Sequence, residues 1–304
     1  MGGGAIQVAI GLRVAVTCTW STTPGNLVIE TSGVLDDRLT FSGPAEVPTG
    51  SWAFLASRCL GLATSHPASL VPRRVSVTST TPQSAGLASS AALVVAGVGA
   101  VAPDLASAEA EAASWRIEAD DAGRDVGPMD YVPCVRGGVS DVTCGPRGIE
   151  RVDALNWPGE ATLVVVDTGL PRSTSEVIAW KRRRWEHGDP SIEAYLAGTR
   201  AVHADVRRIL TDPDPDVGAL GDAVSRAHDL LRDQMGVSTP LVEDCVETIM
   251  RGGAVGAKIT GTGKGGCLIG LFDGPPPKQT LKSLRGLVRR AEVVTVPAPG
   301  LQRG

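Results

Sequence analysis

Residues 74–96 read RVSVTSTTPQSAGLASSAALVVA. The β-branched run at the start predicts a strand, the alanine-rich run at the end predicts a helix, and a loop of small residues joins them. The first N–H groups of such a helix have no intrahelical partner and lie at the positive end of its dipole, so the loop predicts an anion site whose usual occupant is phosphate. Gly86 lets a ligand approach the backbone, and Ser89 and Ser90 offer hydroxyls for a phosphate oxygen or a magnesium ion.

This loop differs from both common nucleotide-binding motifs. No Gly-Lys-Ser/Thr follows Gly86, so it is not a Walker A sequence. A dinucleotide fingerprint needs three spaced glycines and a later acidic residue, which are missing as well. On this stretch alone, a serine-capped helix start with no ligand is the alternative.

Composition narrows the class of protein. The 304 residues allow about two domains, and 42% hydrophobic content allows a proper core. A net charge of −4 and only eleven aromatic residues argue against a nucleic-acid binder. The six cysteines form no Cys-x-x-Cys pair, so neither a zinc site nor a disulfide framework is expected. No apolar run is long enough to span a membrane and the start lacks a signal peptide, so we expect a cytoplasmic protein with no membrane partner.

The order of predicted elements indicates an α+β fold. Alternating residues predict a strand over 12–18, with 27–30 as its hairpin partner across Pro24-Gly25. After a buried strand at 163–166 the chain becomes helix-rich, and helices are predicted over 173–186, 191–210, 217–234 and 241–251. Strands return at 257–260 and 267–272. This order favours α+β over regular βαβ alternation and places a boundary near residue 160.

A second chemical signal lies at residues 256–267, which read GAKITGTGKGGC. Four glycines in six residues between two apolar strands are costly in conformational entropy, so the backbone is expected to need unusual torsions or close approach. A loop that closes over phosphate or substrate is favoured, with a glycine-rich hairpin as the alternative.

Two carboxylates make a third signal. Glu118 ends a predicted helix, and Asp130 follows a turn-rich stretch. Phosphoryl transfer needs a carboxylate for magnesium and often another near the acceptor hydroxyl. A solvated surface pair is the alternative for these two residues taken alone.

Together these three segments resemble the GHMP kinases, a superfamily that includes galactokinase and mevalonate kinase. The stretch from Pro82 to Ala92 is similar to the family's Pro-x-x-x-Gly-Leu-x-Ser-Ser-Ala loop, and Lys258 to Cys267 is similar to its C-terminal glycine motif. Asp167-Thr168-Gly169, followed by Ser173-Thr174, resembles mevalonate kinase. The resemblance implies a two-domain α+β fold: an ATP-binding domain like domain 2 of ribosomal protein S5 over 1–160, and a ferredoxin-like C-terminal domain over 161–304.

The resemblance also implies roles for individual residues, with ATP and Mg²⁺ as cofactors. The nucleotide phosphates are expected at Pro82, Ala85, Gly86, Leu87, Ala88, Ser89, Ser90 and Ala91. Magnesium is expected at Ser90 and Glu118, and Asp130 is expected to be the catalytic carboxylate beside the acceptor hydroxyl. Residues expected near the substrate are Arg124, Asp125, Thr260, Gly261, Gly263, Lys264 and Gly265. For Arg124 and Asp125, an exposed turn without a ligand is the alternative.

The family's first motif, a strand with Pro-Gly-Lys followed by Gly-Glu-His, has no counterpart here. Residues 3–16 are similar to the stretch just after it, so the lysine that activates the aspartate in some members is missing. We expect a true start further upstream; the alternatives are substitution by other residues or impaired activity.

The acceptor is expected to be a small molecule with a hydroxyl. A sugar or sugar-like polyol is favoured, because the interval from Glu118 to Asp130 is galactokinase-like. Mevalonate is the alternative acceptor. A catalytically impaired nucleotide- or sugar-binding regulator and a decarboxylase that phosphorylates transiently are further alternatives, and a homodimer is one expected assembly.

Overall fold

In a computed structural model of the protein, the described residues are 3–63, 69–83, 85–170 and 174–303. Ser84 and Ser173, which belong to motifs quoted above, lie outside them. The strands are β1 (Gly3–Val8), β2 (Val14–Ser21), β3 (Leu27–Gly33), β4 (Asp37–Phe41), β5 (Val71–Ser79), β6 (Val139–Gly145), β7 (Gly148–Leu155), β8 (Ala161–Asp167), β9 (Gly256–Ile259), β10 (Cys267–Asp273) and β11 (Arg290–Val294). The α-helices are α1 (Phe54–Cys59), α2 (Ser89–Val101), α3 (Ser107–Arg116), α4 (Tyr131–Arg136), α5 (Thr174–Glu186), α6 (Pro190–Thr211), α7 (Val217–Asp229), α8 (Pro240–Arg251) and α9 (Lys278–Arg285).

The phosphate-type loop connects β5 to α2, as the sequence predicts. Strand β5 lies inside a four-stranded sheet of order β2-β5-β3-β4, antiparallel to β2 and parallel to β3. The predicted hairpin between β2 and β3 is therefore wrong, because β5 inserts between them. Val75 from β5 and Val94 from α2 are fully buried in one core, which fixes the start of the helix at the end of the strand.

A second sheet, of order β1-β6-β7, brings the start of the chain to the site. Strand β1 is antiparallel to β6, with Gln7 opposite Ser140. Ile6 and Val8 pack toward a core that includes Leu163 and Val165 of β8. Because side chains alternate along a strand, Gln7 points to the other side of β1.

The third sheet has order β11-β8-β10-β9 and is antiparallel throughout. One face carries Val164, Val166 and Ile259 into a core that is shared with α8 and α9. The opposite face carries Val165 and, in register on β10 and β9, Ile269 and Lys258. This second face forms a wall of the cleft described below.

The strands of the first two sheets all come from the chain before residue 156, and those of the third from residue 161 onward. The division into units 1–160 and 161–304 stays a prediction. A π-helical turn over Ile117–Asp121 continues α3 and holds Glu118. Among the described helices, none combines the length and apolar content needed to cross a bilayer.

Candidate active site

A cleft of about 1130 Å³ brings the three sequence signals together. Its lining includes the loop at 86–90, the carboxylate of Asp130 and the segment from Thr260 to Thr262. Residues far apart in sequence thus share one cavity, as a phosphotransfer site requires.

The start of α2 is open to the cleft. Ala88 precedes the helix in the left-handed region, with φ of 53°, and no side chain caps the helix. Gly86 also has a positive φ, of 84°. Ser89 and Ser90 begin the helix and line the cleft, and neither hydroxyl has a hydrogen bond to another described residue. The free N–H groups and hydroxyls can therefore serve an anion.

The predicted nucleotide residues divide into two groups. Gly86, Leu87, Ala88, Ser89 and Ser90 all line the cleft. Pro82, Ala85 and Ala91 are buried and do not line it, so they shape the loop from behind.

The glycine-rich loop is hydrogen-bonded to the phosphate-type loop. The N–H of Cys267 donates to the carbonyl of Ala85 over 2.8 Å. The Thr260 hydroxyl donates to the Cys267 carbonyl at 2.9 Å and lies 3.4 Å from the Ala85 carbonyl. Thr260 is buried, so these contacts give it a role in joining the loops; its predicted substrate contact stays a prediction.

The glycines of the second loop are explained by close packing. Gly263 has φ of 82°, and a Cβ there would lie 2.5 Å from Cγ2 of Val237. Gly265 has φ of 112°, and a Cβ there would lie 2.9 Å from that of Leu170. Both are buried outside the cleft lining, whereas Gly261 lines the cleft.

Two further segments hold this loop in place. The Thr168 hydroxyl donates to the Gly266 carbonyl at 2.7 Å, which attaches the Asp167-Thr168-Gly169 segment to the loop. Lys264 donates its N–H to the Val237 carbonyl, and its ammonium lies 4.0 Å from the ring centroid of Trp180. Lys264 does not line the cleft, so its predicted substrate contact stays a prediction.

Asp130 lies at the cleft surface and is held by one donor. Gln7 Nε2 donates to Asp130 Oδ1 over 3.1 Å, and Asp130 Oδ2 accepts from no described residue. Withdrawal from water raises the pKa of Asp130, the Gln7 hydrogen bond lowers it, and the charge of Glu118 raises it. The side chain stays accessible to solvent through the cleft. The geometry leaves one oxygen for an acceptor hydroxyl.

Glu118 lies close behind this site, and each of its carboxylate oxygens accepts a hydrogen bond from a protein side chain. Its Oε1 accepts from Arg124 Nη1 at 3.0 Å, and its Oε2 accepts from the Tyr131 hydroxyl at 2.9 Å. The carboxylate is 2% exposed and does not line the cleft. Burial and the adjacent carboxylates of Glu118 and Asp130 raise the pKa of Tyr131, so the phenol remains a donor.

Magnesium is a hard cation that prefers oxygen ligands. Ser90 Oγ is an oxygen donor that lines the cleft, and it fits such an ion. Each oxygen of Glu118 already accepts from a protein donor and the side chain does not line the cleft, so its predicted role as a ligand stays a prediction. No cluster of three or more His, Cys, Asp or Glu suited to a metal occurs in the described part of the chain.

The predicted substrate residues Arg124 and Asp125 are both paired with protein groups. Arg124 is bound to Glu118, as described above. Asp125 lines the cleft and accepts a hydrogen bond from Arg182 on α5, so the pair bridges the two halves of the chain. The sequence analysis gave no role to Arg182.

Sequence reasoning also gave no role to Gln7, Tyr131 or Lys258. The first and last of these carry a readable signal, since each is a polar residue that interrupts an apolar strand. Tyr131 carries none, because its contact with Glu118 depends on the π-helical turn. Lys258 lines the cleft and donates from Nζ to the Ile259 carbonyl at 2.7 Å.

Comparison with known proteins identifies the family of this chain. The family model "GHMP kinases N terminal domain" matches residues 55–138, and "GHMP kinases C terminal" matches residues 205–286. The mevalonate kinase of Pyrococcus horikoshii is 31% identical over 292 residues, which cover 90% of this chain and 83% of that protein.

Two solved structures show the same fold. The mevalonate kinase of Methanococcus jannaschii has a TM-score of 0.78 at 18% identity, over 96% of this chain and 90% of that one. The mevalonate kinase of L. major in complex with R-mevalonate has a TM-score of 0.73 at 21% identity, over 98% and 90%. Because the two family models together match more than half of the chain, and the P. horikoshii relative matches nearly all of it, the chain belongs to the GHMP kinases, phosphotransferases that use ATP with Mg²⁺ and an alcohol group as acceptor.

Proposed function

We propose that this kinase phosphorylates mevalonate, a short hydroxy acid, rather than a sugar. The sequence favoured a sugar because the interval from Glu118 to Asp130 is galactokinase-like, with Arg124 and Asp125 expected near the substrate. Both side chains are instead held in ion pairs, with Glu118 and Arg182. The mevalonate kinase relatives support the alternative acceptor.

The observation that carries the proposal is the composition of the cleft wall. Ile6, Leu163, Ile178 and Ile269 line it as apolar side chains, and Lys258, which lies opposite Ile269 in the sheet, adds an ammonium. A sugar ring needs hydrogen-bonding partners around several hydroxyls. A branched alkyl chain with a carboxylate at one end and a hydroxyl at the other suits an apolar wall with a cation.

The residues of this chain divide the work of transfer. The start of α2 orients the triphosphate through its N–H groups and the hydroxyls of Ser89 and Ser90. Asp130 Oδ2 accepts the hydrogen bond of the acceptor hydroxyl and takes its proton as the phosphoryl group moves. Gln7 fixes the orientation of Asp130 by holding Oδ1. Magnesium, when bound at Ser90, supplies neutralising charge for the phosphates.

The test is an acceptor comparison with purified protein. ADP release and acceptor phosphorylation are measured with ATP and Mg²⁺, using mevalonate, galactose and a cyclitol as acceptors. We expect mevalonate to be phosphorylated with the highest kcat/KM. Preferred turnover of a sugar would refute the proposal, and release of carbon dioxide from diphosphomevalonate would favour the decarboxylase.

Asp130→Ala separates a kinase from a binding protein. We expect turnover to fall by at least about 10²-fold, in line with the loss of an acid–base group. Nucleotide affinity, measured by equilibrium titration, should stay near that of the wild type, because the phosphate contacts lie on α2. Undiminished turnover would remove Asp130 from the mechanism.

A further inference from the structure

Buried carboxylates in the described part of this protein are ion-paired at several places. Glu111 is paired with Arg136, Glu118 with Arg124, and Asp141 with Arg207. Such pairing is expected because an unpaired charge is costly to remove from water. The Lys258 ammonium is not paired in this way. It has no carboxylate partner among the described residues, and it donates its hydrogen bond to the backbone carbonyl of Ile259.

The position of Lys258 connects this ammonium to the cleft. It lies on β9 directly opposite Ile269 of β10, on the sheet face that forms the cleft wall. Ala257 and Ile259, its neighbours, point into the core behind the sheet and are fully buried. The side chain therefore points toward the space where the reactants bind.

The surroundings of Lys258 favour a contact with the acceptor over a contact with the nucleotide. The phosphates already have donors on the start of α2, and the loop that leads into this helix contacts Thr260, just after β9, through the Ala85 carbonyl. Lys258 lies two residues further along the strand, about 6–7 Å from Thr260 on the same face. Ile269, directly opposite Lys258 on this wall, is apolar, and so is Val165, the next residue across the sheet. A carboxylate on a short alkyl chain fits these surroundings.

We propose that Lys258 binds the carboxylate of the acceptor and so selects a hydroxy acid over a neutral alcohol. The assignment rests on the proposed function, and it adds the residue that recognises the charged end of the substrate. Desolvation lowers the pKa of Lys258 to about 8, which leaves it protonated at neutral pH and ready to pair with an anion.

The experiment compares an acid with its neutral analogue in wild type and variant. Steady-state KM and kcat are measured for mevalonate, for its methyl ester and for ATP, with wild type, Lys258→Met and Lys258→Arg. Lys282→Met, which makes the same change on an exposed position of α9 outside the cleft lining, is the matched control.

In wild type we expect the ester to show a KM at least about tenfold higher than the acid, the effect of losing one charge-assisted hydrogen bond. Lys258→Met should raise the KM for mevalonate by a similar factor and bring the ratio of ester to acid close to one. Lys258→Arg should recover part of the loss. The KM for ATP should change by less than about twofold, and Lys282→Met should behave as wild type.

Three outcomes would overturn the assignment. If the ester and the acid have equal KM values in wild type, no cation recognises the carboxylate, and this result needs no variant to fold. If Lys258→Met raises the KM for ATP alone, the ammonium serves a phosphate. If the variant keeps the ratio of ester to acid, another residue binds the carboxylate. A wild type that phosphorylates no mevalonate refutes the proposed function and the assignment that rests on it, so the two failures are distinguishable.

Discussion

The Lys258 ammonium has no carboxylate partner among the described residues, which should cost stability, and Lys258→Met should recover that cost. Removal from water lowers the pKa of Lys258 from 10.5 to about 8. At about 1.36 kcal/mol per unit, a shift of that size corresponds to roughly 3 kcal/mol of unfavourable free energy when the lysine is charged in both states. The side chain keeps some access to water through the cleft, and methionine loses the hydrogen bond to Ile259, so we expect a net gain of about 1–2 kcal/mol.

The sign of the pH dependence follows from the depressed pKa. Below about pH 8 the lysine is protonated in both the folded and the unfolded chain, and the folded state bears the full cost. Between about 8 and 10.5 the unfolded chain binds the proton and the folded chain does not, so wild-type stability rises with pH relative to the variant. The advantage of Lys258→Met should be greatest at pH 7 and should shrink as the pH rises through this window.

Thermal unfolding at pH 7 and pH 9.5 measures both effects. A gain of 1–2 kcal/mol in a chain of 304 residues corresponds to an increase in Tm of about 1.5–3 °C at pH 7. Lys282→Met controls for the loss of a lysine as such and should show no dependence of the difference on pH. The reasoning is refuted if Lys258→Met is less stable than wild type at pH 7, or if its advantage is the same at both pH values.

Three further predictions concern the contacts around the cleft. Gln7→Leu should move the acidic limb of the profile of kcat/KM against pH to higher pH, because the Gln7 hydrogen bond lowers the pKa of Asp130. An acidic limb that stays at the wild-type pH would argue against that contact. Tyr131→Phe should lower the free energy of unfolding by about 1–2 kcal/mol, since a buried oxygen of Glu118 loses its donor, and chemical denaturation with wild-type stability would contradict the pairing. Gly265→Ala should destabilise the protein by about 1–3 kcal/mol, because position 265 has a positive φ and a Cβ there would contact Leu170. Ala88→Gly should be neutral or stabilise the protein by up to about 1 kcal/mol, because glycine tolerates the positive φ of 53° at position 88. Equal Tm shifts of the same sign in the two variants would refute the argument from backbone conformation.

Local patterns in the sequence predict the strands and helices of this fold better than they predict which strands pair. The strand before the phosphate-type loop and the helix after it are evident from composition alone. The pairing of β2 is not, because alternation shows which face of a strand is buried and carries no information about its partner. A hairpin between β2 and β3 was the local solution, and the chain instead places β5 between them, which requires contacts over more than 40 residues.

The site divides in the same way between local and long-range information. The sequence predicts that Glu118 and Asp130 lie in one region, because only the end of a helix and a turn separate them. It could not predict that Arg124 and Tyr131 would occupy both oxygens of Glu118, since that depends on how the π-helical turn orients the carboxylate. A one-residue change of register in that turn would direct the side chain elsewhere.

Lys258 was readable in principle, because a lysine between Ala257 and Ile259 is costly in any strand that is buried on both faces. Its presence implies that one face meets water or a ligand. If that ligand is the acceptor carboxylate, the same desolvated ammonium determines both the stability of the free protein and its affinity for mevalonate. Saturating mevalonate should then raise the Tm of wild type more than that of Lys258→Met, although the variant is the more stable protein without ligand. A merely structural lysine would leave the two increments equal, because the ligand would have no differential contact with the ammonium.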